Sequence, residues 1–409
     1  MIKDLRNAME AAISSLKNNE SRNVTLFHHN DTDGLSSGTI LLNAFDQIGY
    51  GISRFSLEKP YPEVLEIILK KKDQIIVFTD FAGKIAPLIS ELNNGKNLVI
   101  ILDHHPAEKV DDESVFNLDG ELYGLKGDRD ISASATCSLF AEVLLQSLGI
   151  EGNSYPHLGV LGAVGDGFLV DGCLSGINRE VLNKALKKKL IRVVKSERGE
   201  EYFITLGEKE YPAEEICNIL DTLGGVGYYS DGPSRGIDIC QSGLDSENID
   251  YMISLLNKKE AIFSSEIENL QKNIRTTDHI QWFNVEDRFN PMGVKMIGVF
   301  CTHIKDMDFL DQSKYIAGFQ NVPDIVPGFG TINFNSTKIS MRVSRNLTEK
   351  IRSGLIPGLN SFLPEATEIL DGFSDACHGL SAATTVKIGQ EEQLIKEMEK
   401  ILTNKDEEI

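Results

Sequence analysis

Four apolar runs in the first 170 residues each stop on acidic or imidazole side chains, and this repeated ending constrains the fold more than any other feature. Val24–His28 leads into His29-Asn30-Asp31-Thr32-Asp33-Gly34, and Ile75–Thr79 into Asp80. Leu98–Leu102 leads into Asp103-His104-His105, and an apolar helical stretch at 156–164 leads into Gly165-Asp166. The first three runs read as strands, separated by helical patterns at about 35–48, 62–71 and 84–93, with a short strand at 51–57. Ile2, Leu5, Met9, Ala12, Ile13 and Leu16 fall at helical spacing ahead of the first strand. The rhythm predicts an α/β chain whose N-terminal part is a doubly wound, mainly parallel sheet. Ligands of such sheets gather outside the carboxyl ends of the strands, where these polar groups fall.

A chain of 409 residues is long enough for two to three domains. Its 41 Lys+Arg against 61 Asp+Glu give a net charge of −20. That balance excludes a general polyanion binder and leaves any nucleic-acid contact to a local basic patch. The aliphatic run Leu98–Leu102 is far too short to span a membrane, and residues 1–16 read as an amphipathic helix, not a signal peptide. The six cysteines include no CxxC pair, so neither a disulfide framework nor a structural zinc site is expected. A cytoplasmic protein without a membrane partner is the expectation.

Strand alternation sends His29, Asp31 and Asp33 to one side, and Gly34 allows the turn into the next helix. Taken singly, each group has an ordinary explanation, since an Asp after a strand commonly caps a helix. A calcium loop of the EF-hand type fails, because His29 falls at its first position and Ile40 at its twelfth. Together the groups say more: several carboxylates converging on one sheet edge repel unless cations lie among them. Mixed imidazole and carboxylate donors suit Mn²⁺, with Mg²⁺ as the alternative. Two such ions about 3.5–4 Å apart can clamp a phosphoryl group for in-line displacement.

His29-x-Asp31-x-Asp33-Gly34, Asp80, Asp103-His104-His105 and Gly165-Asp166 resemble the four motifs of the DHH phosphoesterase family. The branch most similar is that of RecJ-like single-strand exonucleases, of the archaeal, GINS-associated nuclease type. The resemblance implies one metal held by Asp31 and Asp80 with His29 as an extra ligand. It implies a second held by Asp33, Asp80, His104 and Asp166, with Asp80 as the bridge. Asp103 would orient the histidines, and His105 would face the scissile phosphate as electrophile or proton donor. Ser340-Met341-Arg342 resembles the S-x-R strand of the family's smaller C-terminal α/β domain. Cys377-His378-Gly379-Leu380-Ser381-Ala382-Ala383 resembles its phosphate-gripping loop, with Ala376-Cys377 in place of a glycine pair and one extra residue after His378.

The layout implied is a DHH catalytic domain at 1–198, a Gly-rich insertion and helical connector at 199–277, and a DHH-associated substrate domain at 278–403. An acidic tail covers 404–409, and substrate would bind in a cleft between the two main domains. Lys184, Lys187, Lys188, Lys189, Arg192 and Lys195 form the one dense basic segment, read as the outer face of a helix at 179–195 with Leu182, Leu186, Leu190 and Val194 inward. Lys188, Arg192, Ser340, Arg342, Arg345 and His378 are the candidate substrate contacts. Further on, 247–275 reads as a helix, Lys295–Cys301 and Lys338–Val343 as strands, and 362–371 and Gln390–Leu402 as helices.

The function implied is a metal-dependent phosphodiesterase that degrades single-stranded DNA or RNA to mononucleotides through a hydroxide activated by two metals, in DNA replication or repair. The alternatives are an oligoribonuclease or cyclic-dinucleotide phosphodiesterase, and a replication scaffold that binds GINS. Expected partners are single-stranded nucleic acid, GINS or another replication or repair protein, and a second copy of the chain in a homodimer.

Overall fold

The computed structural model describes residues 2–197 and 199–406, apart from the side chains of 375, 376 and 406. The chain divides into two compact units. The first is Met1–Ile253 with Pro327–Phe329, and the second is Ser254–Val326 with Gly330–Ile409.

In the first unit, α1 (Ile2–Asn18) precedes a parallel sheet made of β1 (Asn23–His28), β2 (Gly51–Ser56), β3 (Ile75–Thr79), β4 (Leu98–Leu102) and β5 (Val115–Asn117). The order across the sheet is β2-β1-β3-β4-β5, and every neighbouring pair is parallel. β3 and β4 are buried at every residue, as their unbroken Ile/Val/Leu runs require when helices cover both faces. The crossovers are α2 (Thr32–Gln47), α3 (Pro62–Leu69) and α4 (Ala86–Asn93). From β1 the chain goes to one side for β2 and to the other for β3. The topological switch point therefore lies at the carboxyl ends of β1 and β3. There the His29 amide donates to Thr79 O at 3.3 Å, and the Asp80 amide to Leu102 O at 3.0 Å.

Helices α5 (Ala133–Ser147), α6 (Pro156–Gly165) and α7 (Gly176–Lys187) follow, with a short hairpin β6 (Leu169–Val170) and β7 (Cys173–Leu174) between the last two. A three-stranded antiparallel sheet comes next, of β8 (Ile191–Ser196), β9 (Gly199–Leu206) and β10 (Lys209–Pro212). After it come α8 (Ala213–Asp221), a widened π-type turn over Thr222–Val226, and α9 (Gly232–Ser242).

The helix expected over 179–195 is thus two elements. α7 ends at Lys187, Lys189 takes a left-handed φ of 57°, and Ile191, Val193 and Val194 continue as a strand. β-Branched residues fit a pleated surface better than a helix, and here β9 offers a partner. Of the expected inward stripe Leu182 is buried, whereas Leu186 and Val194 are exposed.

The long helix α10 (Ser246–Asn273) runs across the division between the units. The second unit is built on β11 (Arg275–Thr276), β12 (Ile280–Asn284), β13 (Tyr315–Asn321), β16 (Ser336–Arg342), β17 (Phe373–Cys377) and β18 (Ser381–Lys387), with a short pair β14 (Ile325–Val326) and β15 (Gly330–Thr331). Its order is β11-β12-β13-β16-β18-β17, and only β12 and β13 pair in parallel. Helices α11 (Met296–Ile304), α12 (Arg345–Arg352), α13 (Leu363–Ile369) and α14 (Glu391–Asp406) complete it. Residues 295–301, expected as a strand, belong largely to α11, because a short apolar run fits a buried helix as well as a strand. Trp282, Phe319, Ile339, Met341 and Phe362 are buried in this unit's core. Of the acidic tail expected at 404–409, residues 407–409 lie outside the described residues.

His157, on the first turn of α6, is buried, and burial pushes its pKa down from 6.5 to about 4. The folded chain therefore resists a proton that the unfolded chain accepts. Its contribution is complete above about pH 6.5 and is lost as pH falls toward 4, a difference of about 3 kcal/mol. In denaturant titrations His157→Gln is expected to lose about 3 kcal/mol less than the parent chain over that interval.

Candidate metal centre

The chemistry-bearing residues collect at the switch point because the strand order puts the ends of β1, β3 and β4 side by side. Asp31 caps α2 by accepting the Gly34 amide at 3.1 Å. Gly34 approaches the His29 backbone so closely that a Cβ there would lie 2.5 Å from His29 C and O. His29 Nδ1 lies 2.8 Å from Asp31 Oδ2 and 3.3 Å from Asp80 Oδ2. Asp80 follows β3 in a left-handed conformation, φ 66°, which Asp tolerates better than most residues.

Asp33 is fully buried, and its carboxylate accepts the Ala133 amide at 2.8 Å and the Ser134 amide at 3.0 Å. It thus sits on the positive start of α5, which Ser132 caps. His104 Nδ1 is 2.6 Å from Gly127 O. A carbonyl only accepts, so Nδ1 carries the proton and Nε2 is directed inward. Nε2 lies 3.1 Å from Asp166 Oδ2, 3.4 Å from Asp80 Oδ1 and 3.9 Å from Asp33 Oδ2. Asp166 ends α6 at the exposed rim.

These side chains form two overlapping sets, His29, Asp31 and Asp80, and Asp33, Asp80, His104 and Asp166, each with ligand atoms within 4.8 Å of one another. Asp80 belongs to both, and the structure brings together all six residues expected as metal ligands. A further set, Asp80, Asp103, His104 and His105, meets the same limit.

The electrostatics show why the arrangement calls for cations. Burial, then the charges of Asp80 and Asp166, push the Asp33 carboxyl well above the usual range. Burial and the charge of Asp31 raise Asp80 too, against the histidines. Burial would lower His104, but Asp166 and Asp80 overcome it and raise it. His29 Nδ1, both Asp80 oxygens and His104 Nε2 are buried with no hydrogen bond of acceptable geometry among the described residues. Unsatisfied buried polar atoms are costly, and here they converge from several sides. The donor set fits a pair of divalent cations.

Asp103 is buried beside this cluster. Its Oδ1 accepts the His104 amide at 2.8 Å and His105 Nδ1 at 2.8 Å, and its Oδ2 accepts the Gly83 amide at 2.8 Å. Burial and nearby His104 would lower the pKa of His105, but the Asp103 carboxylate lifts it to about 9. The His105 side chain is 44% exposed, so Nε2 remains available outside the Asp103 bond.

Sequence reasoning missed three supports. The α5 start that holds Asp33 was signalled only by Ser132 as a helix cap. Asp119 is buried beside Gly83 and raised to about 8 by burial and the Asp103 charge, and it carried no motif signal. Thr32 and Asn30 face away from the centre toward α8 and the π-type turn.

The remaining candidates belong to none of these ligand sets. Ser340 and Arg342 project from one face of β16. Ser340 is buried, and Arg342 Nε donates to Thr302 Oγ1 at 2.9 Å. Arg342 is in register with Ser381, so the exposed His378 loop lies at the same end of the second unit's sheet. Arg345 is exposed, with Nε 3.5 Å from Asp306. In the first unit Lys188 donates to Asn153 at 2.9 Å. Arg192 pairs with Glu210 and lies over the Phe203 ring at 4.0 Å. These two basic groups fall on different elements and are engaged within the protein.

Residues 23–163 match the DHH family, N-terminal domain. The chain carries a DHH domain. It is 29% identical over 178 residues to an uncharacterized protein of Methanocaldococcus jannaschii, covering 42% of this chain and 38% of that one. The match thus spans well under half of that relative's length. Over 98% of its length the chain is similar to RecJ of Thermus thermophilus in complex with Mn²⁺, with TM-score 0.63, 14% identity and 55% of that chain covered. It is also similar to exonuclease RecJ bound to manganese (TM-score 0.62, 15% identity, 94% covered) and to CDC45 of Entamoeba histolytica (0.53, 12%, 98%). At these identities the likeness establishes a RecJ-like fold around the DHH domain.

Asp80→Asn keeps the side-chain size and the tolerance for a left-handed φ while removing the charge common to both sets. Calorimetric titration with Mn²⁺ is expected to show binding to the parent chain and about 100-fold or greater weakening in the variant, with an unchanged far-ultraviolet spectrum. Equal affinity in both proteins would dismiss the shared-carboxylate arrangement.

Proposed function

We propose that the protein is a metal-dependent phosphodiesterase that hydrolyses single-stranded nucleic acid from an end. The observation that carries this reading is Asp80, a buried carboxylate common to two ligand sets beside a polarised histidine. His29, Asp31 and Asp80 would hold one divalent cation, and Asp33, Asp80, His104 and Asp166 the other. When bound, the cations would supply charge neutralisation and Lewis acidity at phosphorus, Mn²⁺ suiting the mixed donors and Mg²⁺ serving as alternative.

The chain's own groups do the rest. Asp103 holds His105 through Nδ1, and its carboxylate favours the protonated imidazole. Nε2 of His105 then donates to a phosphate oxygen or the departing hydroxyl. The α5 start and Gly127 O fix Asp33 and His104 before any substrate arrives. In the second unit, Arg342 and the His378 loop share one sheet end and would bind substrate phosphate, with Ser340 and Arg345 beside them. The net charge of −20 leaves backbone contacts to such local groups, Lys188 and Arg192 included.

The reading is supported by the match to the DHH N-terminal domain and by the fold shared with a protein described as exonuclease RecJ bound to manganese. The likeness to CDC45 over 98% of both chains favours a second reading, a replication scaffold that docks on a partner such as GINS. The complete ligand set weighs toward catalysis.

Single-stranded DNA and RNA labelled separately at each terminus, incubated with Mn²⁺, are expected to release labelled mononucleotides from one end. His105→Ala is expected to lower kcat about 10²–10⁴-fold with little change in KM. Preference for two- to five-nucleotide substrates would select the oligoribonuclease alternative. Absence of hydrolysis in a chain that copurifies with GINS would select the scaffold.

A further inference from the structure

We infer that α8 and the π-type turn after it brace the metal-ligand loop, with Asp221 as its positioning residue. The inference rests on the divalent-cation reading of the centre and assigns a role to a segment about 190 residues from the loop it serves.

β1 ends at His28 and α2 begins at Thr32, and across this turn His29, Asp31 and Asp33 face the centre while Asn30 and Thr32 face α8 and the π-type turn. Both residues are 1% exposed. Asn30 Nδ2 donates to Gly224 O at 2.8 Å. Asp221 Oδ1 accepts the Thr32 amide at 3.0 Å and the Thr32 hydroxyl at 2.9 Å, and that hydroxyl also lies 3.1 Å from Cys217 O. Each residue between two ligands is thus held from behind by the same short segment.

Two further observations show that the fit is close. A Cβ on Gly224 would lie 1.5 Å from Asn30 O, so any side chain there would displace the loop backbone. A Cβ on Gly165 would lie 2.5 Å from Thr32 Cβ and Cγ2. Thr32 therefore abuts the residue before Asp166 while hydrogen-bonding to Asp221. One side chain sets the spacing of Asp31 and Asp33 on the loop against Asp166 on the end of α6. The widened turn and its paired Gly224 and Gly225 bring main chain close enough to make these contacts.

A brace and a packing element differ in what their loss changes. Loss of packing lowers stability and leaves metal affinity alone in the molecules that remain folded. Loss of a brace leaves the fold and loosens the ligand geometry, which in metal sites typically weakens affinity about 10–100-fold.

The test uses the full chain and Mn²⁺, with affinity read by calorimetry and by the electron paramagnetic resonance of free Mn²⁺. Asp221→Ala is expected to weaken binding about 10–100-fold, with cooperative unfolding within a few degrees of the parent. Asp221→Asn keeps an acceptor oxygen and is expected to recover most of the affinity. Thr32→Val keeps the contact with Gly165 but lacks the hydroxyl, and should weaken binding several-fold. Parent-like affinity in Asp221→Ala overturns the inference. Should that variant fail to fold, parent-like affinity in Thr32→Val overturns it instead. The parent and Asp80→Asn are titrated alongside. If those two bind Mn²⁺ equally, or neither binds, the metal centre itself is refuted and the brace falls with it. If only Asp80→Asn loses binding, the Asp221 and Thr32 variants judge the brace alone.

Discussion

Repulsion among buried carboxylates sets the terms for the whole first unit. The strand order β2-β1-β3-β4-β5 forces Asp31, Asp33 and Asp80 together, and α6 delivers Asp166 to the same place. Burial first, and then the charge of neighbouring carboxylates, makes Asp33 and Asp80 harder to ionise. The fold answers with the positive start of α5 under Asp33 and with the imidazole nitrogens of His29 and His104 beside Asp80. What those leave uncompensated is the requirement for divalent ions. A buried apolar sheet supplies the rigidity to hold such an arrangement, since β3 and β4 are enclosed along their full length.

Much of this was legible in the sequence, because most of the candidate ligands follow strands that announce themselves. Val24–His28, Ile75–Thr79 and Leu98–Leu102 are largely apolar runs, and the polar groups after them have one place to go in a parallel sheet. The gathering of His29, Asp31, Asp33, Asp80, His104 and Asp166 follows from that topology. Less legible was anything depending on a partner distant in sequence. The amides of Ala133 and Ser134 meet Asp33 across about a hundred residues, and Asp221 meets Thr32 across nearly twice that. No local pattern encodes such pairs. The basic stretch misled for another reason. Its leucines fit a helical period, but Ile191, Val193 and Val194 find a strand partner in β9, and pairing prevails over periodicity.

The second unit makes a different use of sequence. Its Ser340-Met341-Arg342 and His378 signals are short, and they gain meaning only because antiparallel register sets Arg342 against Ser381. Arg342 is partly engaged by Thr302 and by Met341 O, which limits how far its guanidinium can swing. A held arginine loses less freedom on meeting an anion than a free one. Arg345, exposed and only loosely paired with Asp306, is the less constrained of the two.

The seat of Asp33 carries an evolutionary consequence. Its carboxylate joins the first turn of one helix to the first turn of another, so the atoms of a candidate ligand also serve architecture. Descendants of such a chain that no longer bound cations would face unequal selection across the candidate ligands. Asp166, at the rim, could drift at small cost, whereas Asp33 would persist as a structural relic long after the ions were gone.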